Sequence, residues 1–153
     1  MKRNESRPAL VPEPGLLLDN QLCFALYSAS LAMTKLYKPL LAELKLTYPQ
    51  YLVMLVLWEH PGLTVSEIGK RLFLDSGTLT PLLKRLEGAA LIARLRDAAD
   101  ERQVRINLTA AGRALQSRAT AVRACMFRAT QYSGPQLISL TQEIKALRER
   151  LMA

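Results

Sequence analysis

The apolar period of this chain changes once, and that change constrains the fold more than any other feature of the sequence. Val65, Ile68 and Leu72, and then Leu79, Leu82, Leu83 and Leu86, recur every three or four positions, which is one face of an α-helix. After Ala89 the period becomes two. It is loose over Leu91–Arg96 and clean over Arg102–Leu108, where Val104, Ile106 and Leu108 share a face, as in a half-buried strand. Thr64 and Glu67 have the spacing of a capping box, which predicts a helix from Val65 to about Phe73. A short turn at Leu74 and Asp75 then leads to a second helix from near Ser76 to Ala89. The polar stretch Asp97–Glu101 fits the tip of a hairpin between the two strands. Two short helices joined by so brief a turn form a helix-turn-helix, and a hairpin directly after it is the wing of a winged helix.

Helices flank this unit on both sides. Asp19 or Asn20 can cap a first helix whose Leu22, Leu26, Ala29, Met33, Leu36 and Leu40 line one face. Pro39 predicts a kink or break near Tyr37 and Lys38. A second start follows at Tyr48-Pro49, and the apolar run Tyr51–Trp58 ends at His60-Pro61-Gly62. The lone His60 at a helix end suits a capping or surface role. Thr109 caps a long helix to about Gln131, and Ser133-Gly134-Pro135 opens the last one. There Leu137, Leu140, Ile144, Leu147 and Leu151 form a short heptad seam for a partner helix. The expected fold is therefore mainly α with a small β wing. A flexible segment spans 1–14, N-terminal helices 15–48, the winged helix-turn-helix 49–112 and C-terminal helices 113–153.

Composition excludes several classes. Half of the residues are apolar and 22% are charged, so a wholly disordered chain is excluded. Two cysteines and one histidine cannot supply a disulfide framework or the four ligands of a structural zinc. With no Gly-rich phosphate loop either, no cofactor is expected. Met1–Pro14 is polar, carries Pro8, Pro12 and Pro14, and lacks the apolar core of a signal peptide. The longest apolar run, Tyr51–Trp58, falls short of the ~20 residues of a membrane span. A cytoplasmic protein with reduced thiols and no membrane partner is expected.

The net charge of +8 makes nucleic acid the first partner to consider, but charge alone does not locate the contact. Lys35, Lys38 and Lys45 are balanced by Asp19, Glu43 and Glu59 in the N-terminal part, and the largest excess lies after Thr109. The local pattern is more informative. A DNA major groove about 12 Å wide admits one α-helix. On the second helix of the pair, Ser76, Thr78 and Thr80 can reach base edges or phosphates, Gly77 allows close backbone approach, and Lys84 and Arg85 sit near phosphates. The hairpin adds Arg94, Arg96, Arg102 and Arg105, with Arg102 at the tip, placed to enter a minor groove. Any one of these cations could be a solvated surface residue; their order along helix, helix and hairpin favours double-stranded DNA.

Residues 49–112 resemble the MarR family of winged-helix repressors. The run Asp100-Glu-Arg102-Gln-Val-Arg-Ile-Asn-Leu-Thr109-Ala-Ala-Gly112 is similar to that family's wing signature, an Asp-x-Arg followed by a strand and Leu-Thr-x-x-Gly. The resemblance extends from about Leu17 to the C-terminus. It implies a homodimer whose first and last helices form the dimerisation region, bound to a pseudo-palindromic operator as a repressor and not as an enzyme. It also implies that Asp100 structures the wing while Arg102 enters the minor groove.

Cys23 lies three or four positions after the expected cap of the first helix. The positive end of a helix favours a thiolate there, and no Lys or Arg lies within eleven residues to add to it. Leu22 and Phe24 suit equally a small buried hydrophobe. Tyr27 is one helical turn away. Tyr37 is 14 residues on, or ~21 Å of helical rise. A direct contact therefore needs either a helix that folds back or the Cys23 of another chain.

Cys23, Tyr27, Tyr37 and Tyr48, the last in Leu46-Thr-Tyr48-Pro-Gln-Tyr51, together resemble the organic hydroperoxide sensor branch of that family (OhrR-like, two-cysteine type). The resemblance implies that Cys23 is the peroxidatic thiol, hydrogen-bonded by Tyr37 and Tyr48 of the other subunit, with Tyr27 in support. Apolar neighbours favour organic hydroperoxides as inducer. It further implies that Cys125 is the resolving thiol, forming an intersubunit disulfide with Cys23. The pairing needs Cα atoms within ~7 Å. Helix movement on closure would re-space recognition helices that must sit ~34 Å apart, releasing the operator. The alternatives are a MarR-like repressor that answers a small aromatic ligand, with inert cysteines, a thiol peroxidase, and a helical adaptor on acidic membranes.

Overall fold

The computed structural model describes residues 13–153. The expected flexible segment 1–14 lies outside them except for Glu13 and Pro14. Single turns of 3-10 helix at Pro14–Leu16 and Leu18–Asn20 lead into α1 (Leu22–Ala42). The expected cap at Asp19 or Asn20 is displaced, because both belong to the second of these turns. The Gln21 amide instead folds back to donate to the carbonyls of Gly15 (2.8 Å) and Leu17 (3.0 Å). The expected break at Pro39 is absent as well: α1 runs through it to Ala42. Pro39 falls in the last turn, where only the hydrogen bond to the Lys35 carbonyl is forgone.

Next comes α2 (Tyr48–Glu59), capped by Thr47 and Gln50 in a reciprocal box, which accounts for a buried glutamine side chain. His60 closes this helix. A two-residue strand, β1 (Leu63–Thr64), precedes α3 (Val65–Leu72). The Thr64–Glu67 box forms as its spacing predicts. α3 stops one residue short of the expected Phe73, which takes the left-handed conformation (φ 56) instead. The Arg148 guanidinium lies 4.3 Å above its ring. α4 (Ser76–Gly88) is capped by Asp75. Strands β2 (Ile92–Arg96) and β3 (Val104–Leu108) form the hairpin, and β1 adds to its other edge, giving the antiparallel order β1-β3-β2. α5 (Ala110–Thr130) and α6 (Gly134–Leu151) start at Thr109 and Ser133, both with side-chain caps.

The core lies where these elements meet. Leu57 on α2, Ile68 on α3, Leu79 and Leu83 on α4, Ile92 on β2 and Ile106 on β3 are fully buried. Two close approaches set the joints. A Cβ on Gly69 would lie 2.7 Å from the Leu74 carbonyl in the turn between α3 and α4, and one on Gly112 would lie 2.0 Å from the Leu91 carbonyl. Only backbone without a side chain fits at either place.

The chain divides into two compact units, one ending at Leu36 and the other beginning at Tyr37. Before Leu36, α1 buries no side chain: Leu22, Leu31, Met33 and Leu36 are all exposed. From Tyr37 onward, Leu41, Leu44 and Leu46 join the core with α2–α5. On α6, Ile138, Leu140 and Ile144 are exposed.

Candidate nucleic-acid interface and thiol site

The helix expected to enter the groove, α4, begins at the Asp75 cap. Its Oδ1 accepts from the Thr78 amide (2.7 Å) and its Oδ2 from the Thr78 hydroxyl (3.2 Å). These bonds hold the Asp75 carboxyl below its ordinary range. A Cβ on Gly77 would come 3.1 Å from Asp75 Oδ1, so the glycine leaves room for the cap. Ser76, Gly77, Thr78, Lys84 and Arg85 are exposed on α4 and Thr80 is half-buried. Pro81 has no amide hydrogen to offer the Gly77 carbonyl, so that acceptor loses its usual intrahelical partner.

Two aspartates shape the wing. Asp100 Oδ1 accepts from the Arg102 amide (3.0 Å), and its carbonyl accepts from the Gln103 amide (2.9 Å). Asp97 accepts from the Ala99 amide (2.9 Å) and from Arg105 Nε. Arg105 also donates to the Gly62 carbonyl at 2.9 Å. The amide of Ala99 and then the Arg105 guanidinium hold the Asp97 carboxyl below its ordinary range. The cations expected on the hairpin therefore divide. Arg96 and Arg102 are exposed. Arg105 ties the wing to the turn before β1, and Arg94 pairs with Glu87 of α4 at 3.1 Å. A cleft of about 570 Å³ between the wing and the start of α3 is lined by Ser66, Lys70 and Arg102.

The thiols are on different units. Cys23 is exposed, second residue of α1 and nearer its N-terminal end than the displaced cap implied. Tyr27 is exposed one turn further on. The fold-back of the first helix that a contact within one chain would need is not seen, since α1 runs from Leu22 to Ala42 without a break. Cys125, half-buried on α5, accepts from Arg128 Nη2 at 3.2 Å.

The phenols gather at the start of α2. The ring centroids of Tyr37 and Tyr48 are 4.8 Å apart, and those of Tyr37 and Tyr51 are 5.8 Å apart. Burial first, then the neighbouring hydroxyls of Tyr48 and Tyr51, pushes Tyr37 up to about 12. Burial also raises Tyr48. Both therefore stay protonated donors at neutral pH. Tyr51, Trp58 and Arg128 were not among the expected site residues. The spacing held the signal: Tyr51 stands three residues after Tyr48 and Arg128 three after Cys125, one turn along the same helix face. Among the described residues, no cluster of three or more acidic, Cys or His side chains could hold a metal, and no helix is long and apolar enough to cross a membrane.

Comparison with known proteins places this geometry among regulators. A family model described as transcriptional regulator SarA/Rot matches residues 35–118. The organic hydroperoxide resistance transcriptional regulator of Bacillus subtilis (strain 168) is 50% identical over 134 residues, covering 88% of this chain and 91% of that protein. AbfR of Staphylococcus epidermidis is similar in two states. Reduced and bound to DNA, it superposes with a TM-score of 0.72 at 36% identity, over 89% of this chain and 95% of the other. Its disulfide form gives 0.63 at 38% identity, over 85% and 91%.

Proposed function

Because this chain belongs to the MarR/SarA family of winged-helix transcriptional regulators, we propose that it works as a homodimeric repressor that senses organic hydroperoxides through Cys23. The observation that carries this reading is the pair of adjoining, half-buried phenols, Tyr37 and Tyr48, whose ring centroids lie 4.8 Å apart. In a dimer they would donate to the exposed Cys23 of the other subunit. The relatedness to a hydroperoxide resistance regulator supports it.

The chemistry balances with peroxide as the sole oxidant. The Cys23 thiolate attacks the terminal peroxide oxygen, an S–O bond forms and the O–O bond breaks. The alkoxide leaves with the electron pair and takes a proton from solvent, steadied by a phenol hydrogen bond. The resulting sulfenic acid condenses with the Cys125 thiol, losing water and giving an intersubunit disulfide. DNA contact falls to the exposed Ser76, Gly77 and Thr78, to Thr80, Lys84 and Arg85, and to Arg96 and Arg102, with Asp100 holding the wing. Arg94 is the weakest member of the expected set, since Glu87 already engages it.

Cys23→Ser should bind the operator like the parent but no longer release it with cumene hydroperoxide; release by that variant overturns the sensor reading. Cys125→Ser should react yet show no covalent dimer on a non-reducing gel. A second reading is favoured by an open groove of about 830 Å³ between α2 and α5, where Tyr51, Trp58 and Arg123 suit an aromatic anion. Such a ligand would release the parent and Cys23→Ser alike.

A further inference from the structure

Tyr51 is neither of the two phenols assigned to the thiol, yet the aromatic cluster is built around it. It is 4% exposed, whereas Tyr37 and Tyr48 are half-buried. Its ring lies 5.8 Å from that of Tyr37 at 43°, and 6.3 Å from that of Trp58, edge-on at 69°. The Trp58 indole N–H donates to the Gly112 carbonyl at 2.8 Å. That carbonyl belongs to the first turn of α5, where no side chain beyond glycine's hydrogen fits. A half-buried ring thus leans on a buried ring, which is wedged by an indole fastened to the backbone of α5. Tyr37 also sits two residues before Pro39, where α1 forgoes a backbone hydrogen bond. Packing must supply the fixity that the helix there lacks.

We propose that Tyr51 is a positioning residue for peroxide sensing. It fixes the Tyr37 ring and, through Trp58, joins that ring to α5, the helix that carries Cys125. The inference rests on the sensor reading above. It gives Tyr51 a role exercised by its ring and not by its hydroxyl, since Tyr37 and Tyr48 already supply the donors.

The test compares full-length Tyr51→Phe and Tyr51→Leu. Two rates are measured for Cys23, oxidation by cumene hydroperoxide and alkylation by iodoacetamide, alongside operator affinity of the reduced protein. Phe should oxidise within about twofold of the parent. Leu, which removes the ring, should slow oxidation about tenfold, the scale expected when a reacting group is displaced by a fraction of an ångström. Alkylation and operator affinity should stay unchanged, so the ratio of the two rates isolates positioning from general loosening. Equal oxidation in Leu and parent overturns the proposal. So does a Phe variant as slow as Leu, which would make the hydroxyl the working part. If Leu fails to bind the operator, Trp58→Phe decides: it keeps a ring but drops the tie to Gly112, and an unaltered oxidation rate overturns the proposal. A parent protein whose Cys23 ignores the peroxide overturns the sensor reading itself, separately from these variants.

Discussion

Asp97 holds the mouth of the wing through one backbone amide and one guanidinium, and both contacts need its charge. Its carboxyl is held below the ordinary range, so the stability it lends is present above the unfolded value of about 3.9. That stability is lost as pH falls through the lower folded value. Amide-exchange protection of residues 97–105 should therefore be level from neutrality down to about pH 4 and decline below it. In Asp97→Asn the protection should be lower at neutrality and lack that acid step. A wing equally protected in the variant would show that the pair is idle. The same residues mark what sequence could and could not tell. Asp100 beside Arg102 is legible because the turn bonds them locally. Arg105 is an exposed-looking cation in sequence, but its partners Asp97 and Gly62 are set by the pairing of β3 with β2 and β1. Arg94 escapes for the same reason, its partner Glu87 lying on another element.

At the scale of elements, the capped starts at Thr64, Thr109 and Ser133 are all readable, because a cap is chemistry between residues three apart. The first helix is less so. A competing 3-10 turn takes up Asp19 and Asn20, and Pro39 comes too late in α1 to stop it. β1 is only two residues long and exists through its partner Arg105–Ile106, so no local period announces it. Gly112 is the joint with the greatest consequence. Gly112→Ala would drive a Cβ into the Leu91 carbonyl, backbone against backbone, and should destabilise by about 3 kcal/mol or more. Gly88→Ala, with open space around it at the end of α4, should instead be neutral or stabilise by up to about 1 kcal/mol. Thermal unfolding of the two variants checks the contrast, and similar melting points would refute it.

For the whole molecule, charge sets the strength of DNA binding but not its site. The net +8 is carried mostly by residues outside the wing and α4. If Arg102 reaches into a groove, Arg102→Ala should weaken operator binding and flatten the log–log salt dependence by about 1 per subunit. An unchanged affinity removes Arg102 from the interface. The uncovered apolar faces of α1 and α6 fit the second copy that the proposed function requires. They are readable as helical stripes in sequence, though what covers them is not. The indole at the α2–α5 joint has an optical consequence. It belongs to the chain's only tryptophan, so intrinsic emission comes from a single place, beside the tyrosines and bonded to the helix bearing the second thiol. A rearrangement at that joint should alter the colour or brightness of that emission, so the regulator can be followed in real time without a dye.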